Sequence, residues 1–200
     1  PIVAEVAKQL GALTIAIVTK PFSFEGTQRG RIAQEAFVKL KEKVDALIVV
    51  PNDRVFTVIS QDTPILKAFE TIDDILRNAL HGIVELIMVP GIINVDFADM
   101  KGVVQDAGIA IIGMGLASGK DRAVTAVNQA MNPPLLEVTA EGAKGVILSI
   151  SGGRDLKMSE VNEAARLIAQ SADAGARIIF GAYHDRNIKS NHIRVTLIAT

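Results

Sequence analysis

LTIAIVTKPFSFEGTQRGRIAQEAFVKLKEKVDALIVVP, residues 13–51, holds two kinds of order in one stretch. It opens on a β-branched apolar run, LTIAIVT, suited to a strand covered on both faces, and closes on a second such run, ALIVVP. Between them, RGRIAQEAFVKLKEKV sets Ile32, Ala36 and Leu40 on one stripe with lysine and glutamate opposite, the period of an amphipathic helix. Strand, helix, strand predicts a right-handed parallel crossover and therefore an α/β sheet.

Upstream, PIVAEVAKQLGA places Val3, Val6, Ala7 and Leu10 at helical spacing and stops at Gly11, a natural residue just past a helix end. Pro1 suits a first turn, yet no capping residue precedes it, so the chain reads as if an upstream segment had been cut away. Downstream, DTPILKAFETIDDILRNALHGIVELIMV stays apolar-periodic for more than 20 residues. It reads either as one long helix or as a shorter one broken near Glu70 to Asp73. A domain boundary is expected within Met88 to Asp96. Beyond it run IAIIGMGLA, a helix from about Asp121 to Met131 stopped by NPP, GVILSI, a helix from about Met158 to Ala172, then RIIFGAY and HIRVTLIAT. The last two are joined by HDRNIKSN, which reads as a hairpin-like connection.

The totals exclude several classes. With 49% apolar residues, no Trp and one Tyr, the core is built from Val, Ile, Leu and Ala, which suits layered α/β packing. The 21 basic and 22 acidic residues are interspersed, which argues against a nucleic-acid or membrane surface. The absence of cysteine rules out disulfides, thiolate metal sites and cysteine nucleophiles. No signal peptide or 18-residue apolar run occurs, and a cytoplasmic setting is the simplest reading. His81, His184 and His192 are scattered, without zinc-ligand spacing.

Ligands of open parallel sheets bind beyond the carboxyl ends of the strands, here just after Thr19 and Val50. Glu25 and Arg29 stand four apart in KPFSFEGTQR, and Asn52, Asp53 and Arg54 follow Pro51. A carboxylate suits a ribose diol and an arginine a phosphate or a base face, although Glu25 and Asp53 equally suit helix caps. Phe69, with Asp73 and Asp74 close behind, pairs an aromatic face with carboxylates that can accept both N1–H and N2–H of a guanine. Core packing for Phe69 and capping for the aspartates are the plainer alternatives. GMGLASG carries Gly113, Gly115 and Gly119, but the third glycine falls one residue late for G-x-G-x-x-G, so it reads as a tight strand-to-helix connection.

The loop PGIINVDFADM, residues 90–100, pairs the breaker Pro90-Gly91 with Asn94, Asp96 and Asp99. Asp96 as N-cap and Asp99 in the first helical turn explain the carboxylates cheaply. They leave Asn94 and the breaker unexplained. A free carboxylate titrates near 4 and is a poor base at neutral pH, but phosphoryl transfer depends mainly on placing the water and balancing charge. Two carboxylates and an amide can do that.

PIVAEVAKQLGALTIAIVTKPFSFEG, PNDR, PGIINVDFADM and NEAARLIAQSADAGARIIFGA together resemble FtsZ, the bacterial tubulin relative that polymerises into the division ring, in collinear order over essentially all 200 residues. The resemblance implies part of a Rossmann-like parallel-sheet GTPase domain over 1–70, a long central helix over 71–90, and an α+β domain with a mixed sheet over 91–200. It implies GTP or GDP with Mg²⁺ or K⁺, head-to-tail self-assembly, division-ring partners and a mid-cell cytoplasmic location. Glu25 and Arg29 would reach the ribose and phosphate, Asn52 the sugar or base, and Phe69 and Asp74 the guanine. Asn94, Asp96 and Asp99 match the family's catalytic loop, which completes the neighbouring subunit's nucleotide site. The family's phosphate loop, G-G-G-T-G-T-G, would lie upstream of Pro1, and its linker and terminal peptide beyond Thr200. Alone, these 200 residues are therefore expected to hold GTP weakly or not at all and to be inactive. Two alternatives are a filament-capping module without turnover and a dinucleotide-dependent oxidoreductase resting on Gly113 and Gly115. The oxidoreductase lacks an acidic ribose ligand at the end of the following strand, since Glu137 and Glu141 precede that strand.

Overall fold

The computed structural model describes residues 1–57, 59–60, 62–133 and 140–200, with the side chain of residue 75 left aside. Helices and strands follow in the order α1 (Ile2–Gln9), β1 (Ile15–Lys20), α2 (Thr27–Lys41), β2 (Ala46–Pro51), α3 (Ile65–Met88), α4 (Phe97–Val104), β3 (Gly108–Ser118), α5 (Arg122–Met131), β4 (Gly145–Gly152), α6 (Met158–Ser171), β5 (Arg177–His184) and β6 (His192–Ala199). The chain forms two compact units. One contains Pro1–Leu80 and Val104–Ala110, the other His81–Val103, Ile111–Pro133 and residues 140–200.

In the first unit β1 and β2 run parallel from Ile15↔Ala46 to Lys20↔Pro51, as the strand–helix–strand reading requires. The start of β3 joins β2, also parallel, through Ala46↔Gly108 to Ile48↔Ala110. Five of the six β2 residues are buried, which is why an unbroken apolar run was needed there. Gly11, at φ 72, ends the first helix in the left-handed conformation that glycine adopts without penalty. The stretch after Pro64 is one unbroken α-helix of 24 residues. Phe69, Asp73 and Asp74 consequently sit inside a helix rather than at a junction, and neither aspartate is a cap.

The second unit is a mixed sheet in the order β3-β6-β4-β5. All eight residues of β4 are buried, as its position between two strands demands. Helices α5 and α6 complete a core that includes Val127, Ala164, Ile168, Leu148 and Val195.

Two expectations fail here. β5 and β6 are not a hairpin, because β4 lies between them, parallel to β5 and antiparallel to β6. The segment after His184 therefore crosses over β4 instead of turning back on its own strand. The glycines of GMGLASG do not make a strand-to-helix turn either: Gly113 and Gly115 lie inside the 11-residue β3. A Cβ at Gly113 would collide with the Ala130 carbonyl, and one at Gly115 with that of Ala126, so both glycines exist to let α5 lie against the strand. Only Gly119, at φ 96, serves the turn. Of the NPP stop, Pro133 is described; Pro134 and Glu137 lie outside the described residues. Among the described residues no helix is long and apolar enough to cross a membrane.

Candidate functional site

Because Lys20 and Pro51 are register partners, the chain leaves β1 and β2 at the same edge of the first unit. Ser23–Glu25 and Asn52–Thr57 then form two short 3₁₀ turns. Asp53 binds one to the other, accepting from the Ser23 backbone N–H at 3.0 Å and from its hydroxyl at 3.2 Å. Glu25 is fully engaged: Oε1 accepts the Phe22 N–H at 2.9 Å and Oε2 pairs with Arg29 Nη1 at 2.9 Å. The capping reading of Glu25 is thus correct locally, and it presents the exposed Arg29 outward. Asn52, first residue after β2, has a buried side-chain oxygen with no hydrogen-bond partner among the described residues. An orphaned buried acceptor costs about 1–3 kcal/mol, so it marks a place where a ligand donor is wanted.

Beside these turns lies an aromatic cluster that sequence reading reached only through Phe69. Phe22, 3% exposed, stacks on Phe24 at 4.7 Å between ring centroids and meets Phe69 edge-on at 5.6 Å. With Phe56 they line a cleft of about 200 Å³. Whole-ligand pockets run to roughly 300–1,000 Å³, so this space suits one flat ring system. The four phenylalanines are scattered over residues 22–69, and no local pattern announces that they converge. Phe69 is 44% exposed and is not a core residue. On α3 an i,i+4 step returns to the same face, which aligns Asp73 with Phe69. Asp74 stands well round the helix and is paired with Arg77.

In the second unit, the chain after α3 lies along β5. Ala182 donates its N–H to the Ile93 carbonyl at 3.0 Å and accepts from the N–H groups of Ile92, at 2.7 Å, and Ile93, at 3.0 Å. Gly91 and Gly181 are required by this contact: a Cβ at Gly91 would lie 2.7 Å from the Ala182 carbonyl, and one at Gly181 would meet Val95. In an extended segment successive side chains point to opposite sides. Ile93 and Val95 accordingly face inward, while Asn94 and Asp96 are exposed. Asn94 Oδ1 accepts the Gly91 N–H at 2.6 Å, closing the turn that Pro90 opens. Asp96 caps α4, accepting from Ala98 N–H at 3.3 Å, and Asp99 sits in the first turn. The plain roles are therefore met, Asp96 as the cap and Asp99 as a first-turn carboxylate. They do not occupy Asp99, whose Oδ1 also takes a hydrogen bond from Arg177 Nη2 at 2.9 Å, a partner the sequence did not suggest. Behind the loop, the Tyr183 hydroxyl donates to Glu85 of α3 at 2.7 Å, and Arg194 bridges Glu85 and Asp185.

Residues 1–60 match the GTPase domain of the tubulin/FtsZ family, and residues 108–200 match the C-terminal domain of the FtsZ family. The chain belongs to the tubulin/FtsZ family. FtsZ of M. jannaschii, solved as an empty dimer, superposes with a TM-score of 0.93 at 42% identity, covering 100% of this chain and 58% of that one. A variant of the same FtsZ gives 0.92 at 43% identity, covering 100% and 60%. CetZ1 from Haloferax volcanii, a GDP-bound monomer, shares the fold at a TM-score of 0.78 and 18% identity, with coverage of 100% and 58%. The chain thus spans about three fifths of the FtsZ chains it matches.

Proposed function

We propose that this chain supplies the base-reading surface and the hydrolytic loop of a tubulin-like GTPase that assembles head to tail, with the loop of one copy acting on GTP held by the next. The observation that carries this reading is the exposure of Asn94 and Asp96, with Asp99 half exposed, on a segment rigidly templated by β5 and flanked by the exposed apolar side chains Ile92, at 73%, and Phe97, at 51%. Polar groups ringed by uncovered apolar residues suit a surface that another copy covers. The dimer seen for the M. jannaschii relative agrees.

In this reading residues 1–70 serve the nucleotide, 71–90 connect, and 91–200 serve hydrolysis. Arg29, carried by Glu25, faces the phosphate and ribose, and the orphaned Asn52 oxygen accepts a sugar hydroxyl. Phe69 stacks on the guanine in the aromatic cleft. Of the two aspartates behind it, helical phase favours Asp73 over Asp74 as the acceptor for N1–H and N2–H. Asn94, Asp96 and Asp99 orient the attacking water and the charge around it, which is most of what phosphoryl transfer asks of a protein. Among the described residues no three His, Asp or Glu side chains converge as a metal site. Mg²⁺ or K⁺ would accompany the phosphates of the nucleotide and balance their charge. A mid-cell ring and division-ring partners follow from the same reading.

The test is complementation in the intact protein. Asp99→Ala should keep GTP binding and lose hydrolysis by roughly 10²-fold, the scale of removing one charge-positioning group. Mixed with a Phe69→Ala variant that fails to hold nucleotide, it should regain turnover at mixed interfaces. No recovery on mixing, or a parallel loss of binding in Asp99→Ala, assigns the loop to its own subunit's pocket instead.

A further inference from the structure

We infer that Arg177 is a positioning residue for the hydrolytic loop, fixing where the Asp99 carboxylate is presented to the neighbouring copy's nucleotide; this rests on the function proposed above. Two observations converge on it. Arg177 Nη2 donates to Asp99 Oδ1 at 2.9 Å, although both side chains are about half exposed, at 54% and 49%. And Gly102, one turn after Asp99 on α4, is open because the guanidinium lies there: the three nearest heavy atoms to a Cβ at that position all belong to Arg177.

Stability does not explain this arrangement. A half-exposed ion pair contributes little once water screens it, and a glycine inside a helix is destabilising relative to alanine. The helix has given up a side chain to seat a cation whose return in stability is small. Placement does explain it. Arg177 is the first residue of β5, with its N–H donating to Lys144 at 2.8 Å and its backbone in register with Gly145. Ala182, five residues along the same strand, holds Ile92 and Ile93. One strand therefore grips the loop at both ends, by backbone at Ala182 and by side chain at Arg177. In an extended strand those grips stand roughly 16 Å apart, a spacing set by strand geometry rather than by the loop. A carboxylate held by a cation on a rigid strand loses the rotamer freedom that would otherwise blur the position of the water it orients, and small misplacements of such groups are expensive in rate.

The experiment compares kcat and KM for GTP, assembly and thermal melting in the intact protein. Arg177→Gln should lower kcat about tenfold with KM, assembly and melting temperature unchanged, and Arg177→Lys should recover part of the loss. Gly102→Ala should reproduce the kcat loss by displacing the guanidinium. In an Arg177→Gln background Gly102→Ala should add no further loss and should raise the melting temperature. Unchanged kcat in Arg177→Gln, kcat loss that tracks lost assembly or melting, or additive effects of the two substitutions would each overturn the inference. Asp99→Asn is measured alongside. If it keeps full activity, the hydrolytic reading of the loop fails and this inference with it. If it is inactive while Arg177→Gln is normal, only the role of Arg177 is lost.

Discussion

Arg122 forks onto Glu160, with Nε to Oε1 at 2.6 Å and Nη2 to Oε2 at 2.9 Å, and its remaining amine reaches Asp155 Oδ2 at 2.6 Å. The arginine is 3% exposed and joins the start of α5 to the start of α6. Removing the arginine strips its hydrogen bonds from Glu160 and from the partly solvated Asp155, at a cost of about 1–3 kcal/mol. Arg122→Ala is expected to lose that much in urea denaturation. Lysine at 122 keeps the charge without the two-pronged geometry and should recover less than half.

The same cluster gives the stability a pH dependence. The Arg122 guanidinium holds the Glu160 carboxyl below its ordinary value of 4.5 and that of Asp155 below 3.8. A lowered folded-state pKa stabilises the protein above the unfolded value and loses that contribution as the pH falls through the folded one. Acid titration of unfolding free energy should therefore be steeper for the wild-type chain than for Glu160→Gln between about pH 5 and pH 3. Parallel curves would show that the pair carries no such linkage.

Substitutions in the glycine run separate packing from turn formation. Gly113→Ala and Gly115→Ala drive a methyl group into the backbone of α5 and should cost several kcal/mol, more than the ~1–3 kcal/mol of ordinary overpacking, because backbone yields less than side chains. Gly119→Ala meets no atom within 4 Å and is strained only by its φ of 96, so about 1 kcal/mol is expected. Equal effects at all three positions in chemical denaturation would contradict the close approach of α5.

Under the proposed function, base specificity is the readout that separates Asp73 from Asp74. Asp73→Asn exchanges an acceptor for a donor beside the stacked ring, so GTP should bind at least tenfold more weakly and XTP more tightly, about 1.4 kcal/mol per decade. Asp74→Asn should change neither, since its helical phase turns it away from Phe69. Competition binding with the two nucleotides reads both outcomes.

Gly91→Ala places a Cβ 2.7 Å from the Ala182 carbonyl and lifts the loop from β5. Hydrolysis should fall by roughly 10²-fold, the order expected of a displacement near 1 Å. GTP affinity, which the proposed function assigns to the other unit, should stay within twofold, the scatter of distant sites. Loss of both together would mean that the loop does not act separately from nucleotide binding.

Much of the fold was legible because hydrophobic period fixes local structure. β1, α2 and β2 lie where residues 13–51 place them, but only β2 is buried as an unbroken apolar run implies: every β1 residue is only partly buried, and in the α2 stripe Ile32 is 57% exposed and Ala36 is exposed as well. Phe69, Asn94, Asp96 and Asp99 stood out in the sequence as residue types apt for the proposed chemistry. What escaped were relations between distant segments. Asp73 and Asp74 are neighbours in sequence, and only the continuity of α3 shows which shares a face with Phe69. Arg177 lies 78 residues from Asp99 at the start of a strand, and its immediate neighbours Ile178 and Ile179 are apolar, so nothing near it signals a partner.

The chain's own order of residues determined its family, its alternation of strands and helices, and the chemical character of its two candidate surfaces, because backbone geometry converts short-range periodicity directly into local structure. Only tertiary packing decided that β4 separates β5 from β6, that two glycines in β3 serve a helix, and that β5 grips the acidic loop at Ala182 and Arg177. Those outcomes depend on which surfaces close against each other without voids or clashes, and atoms tens of residues apart carry no mark of that in their immediate neighbours.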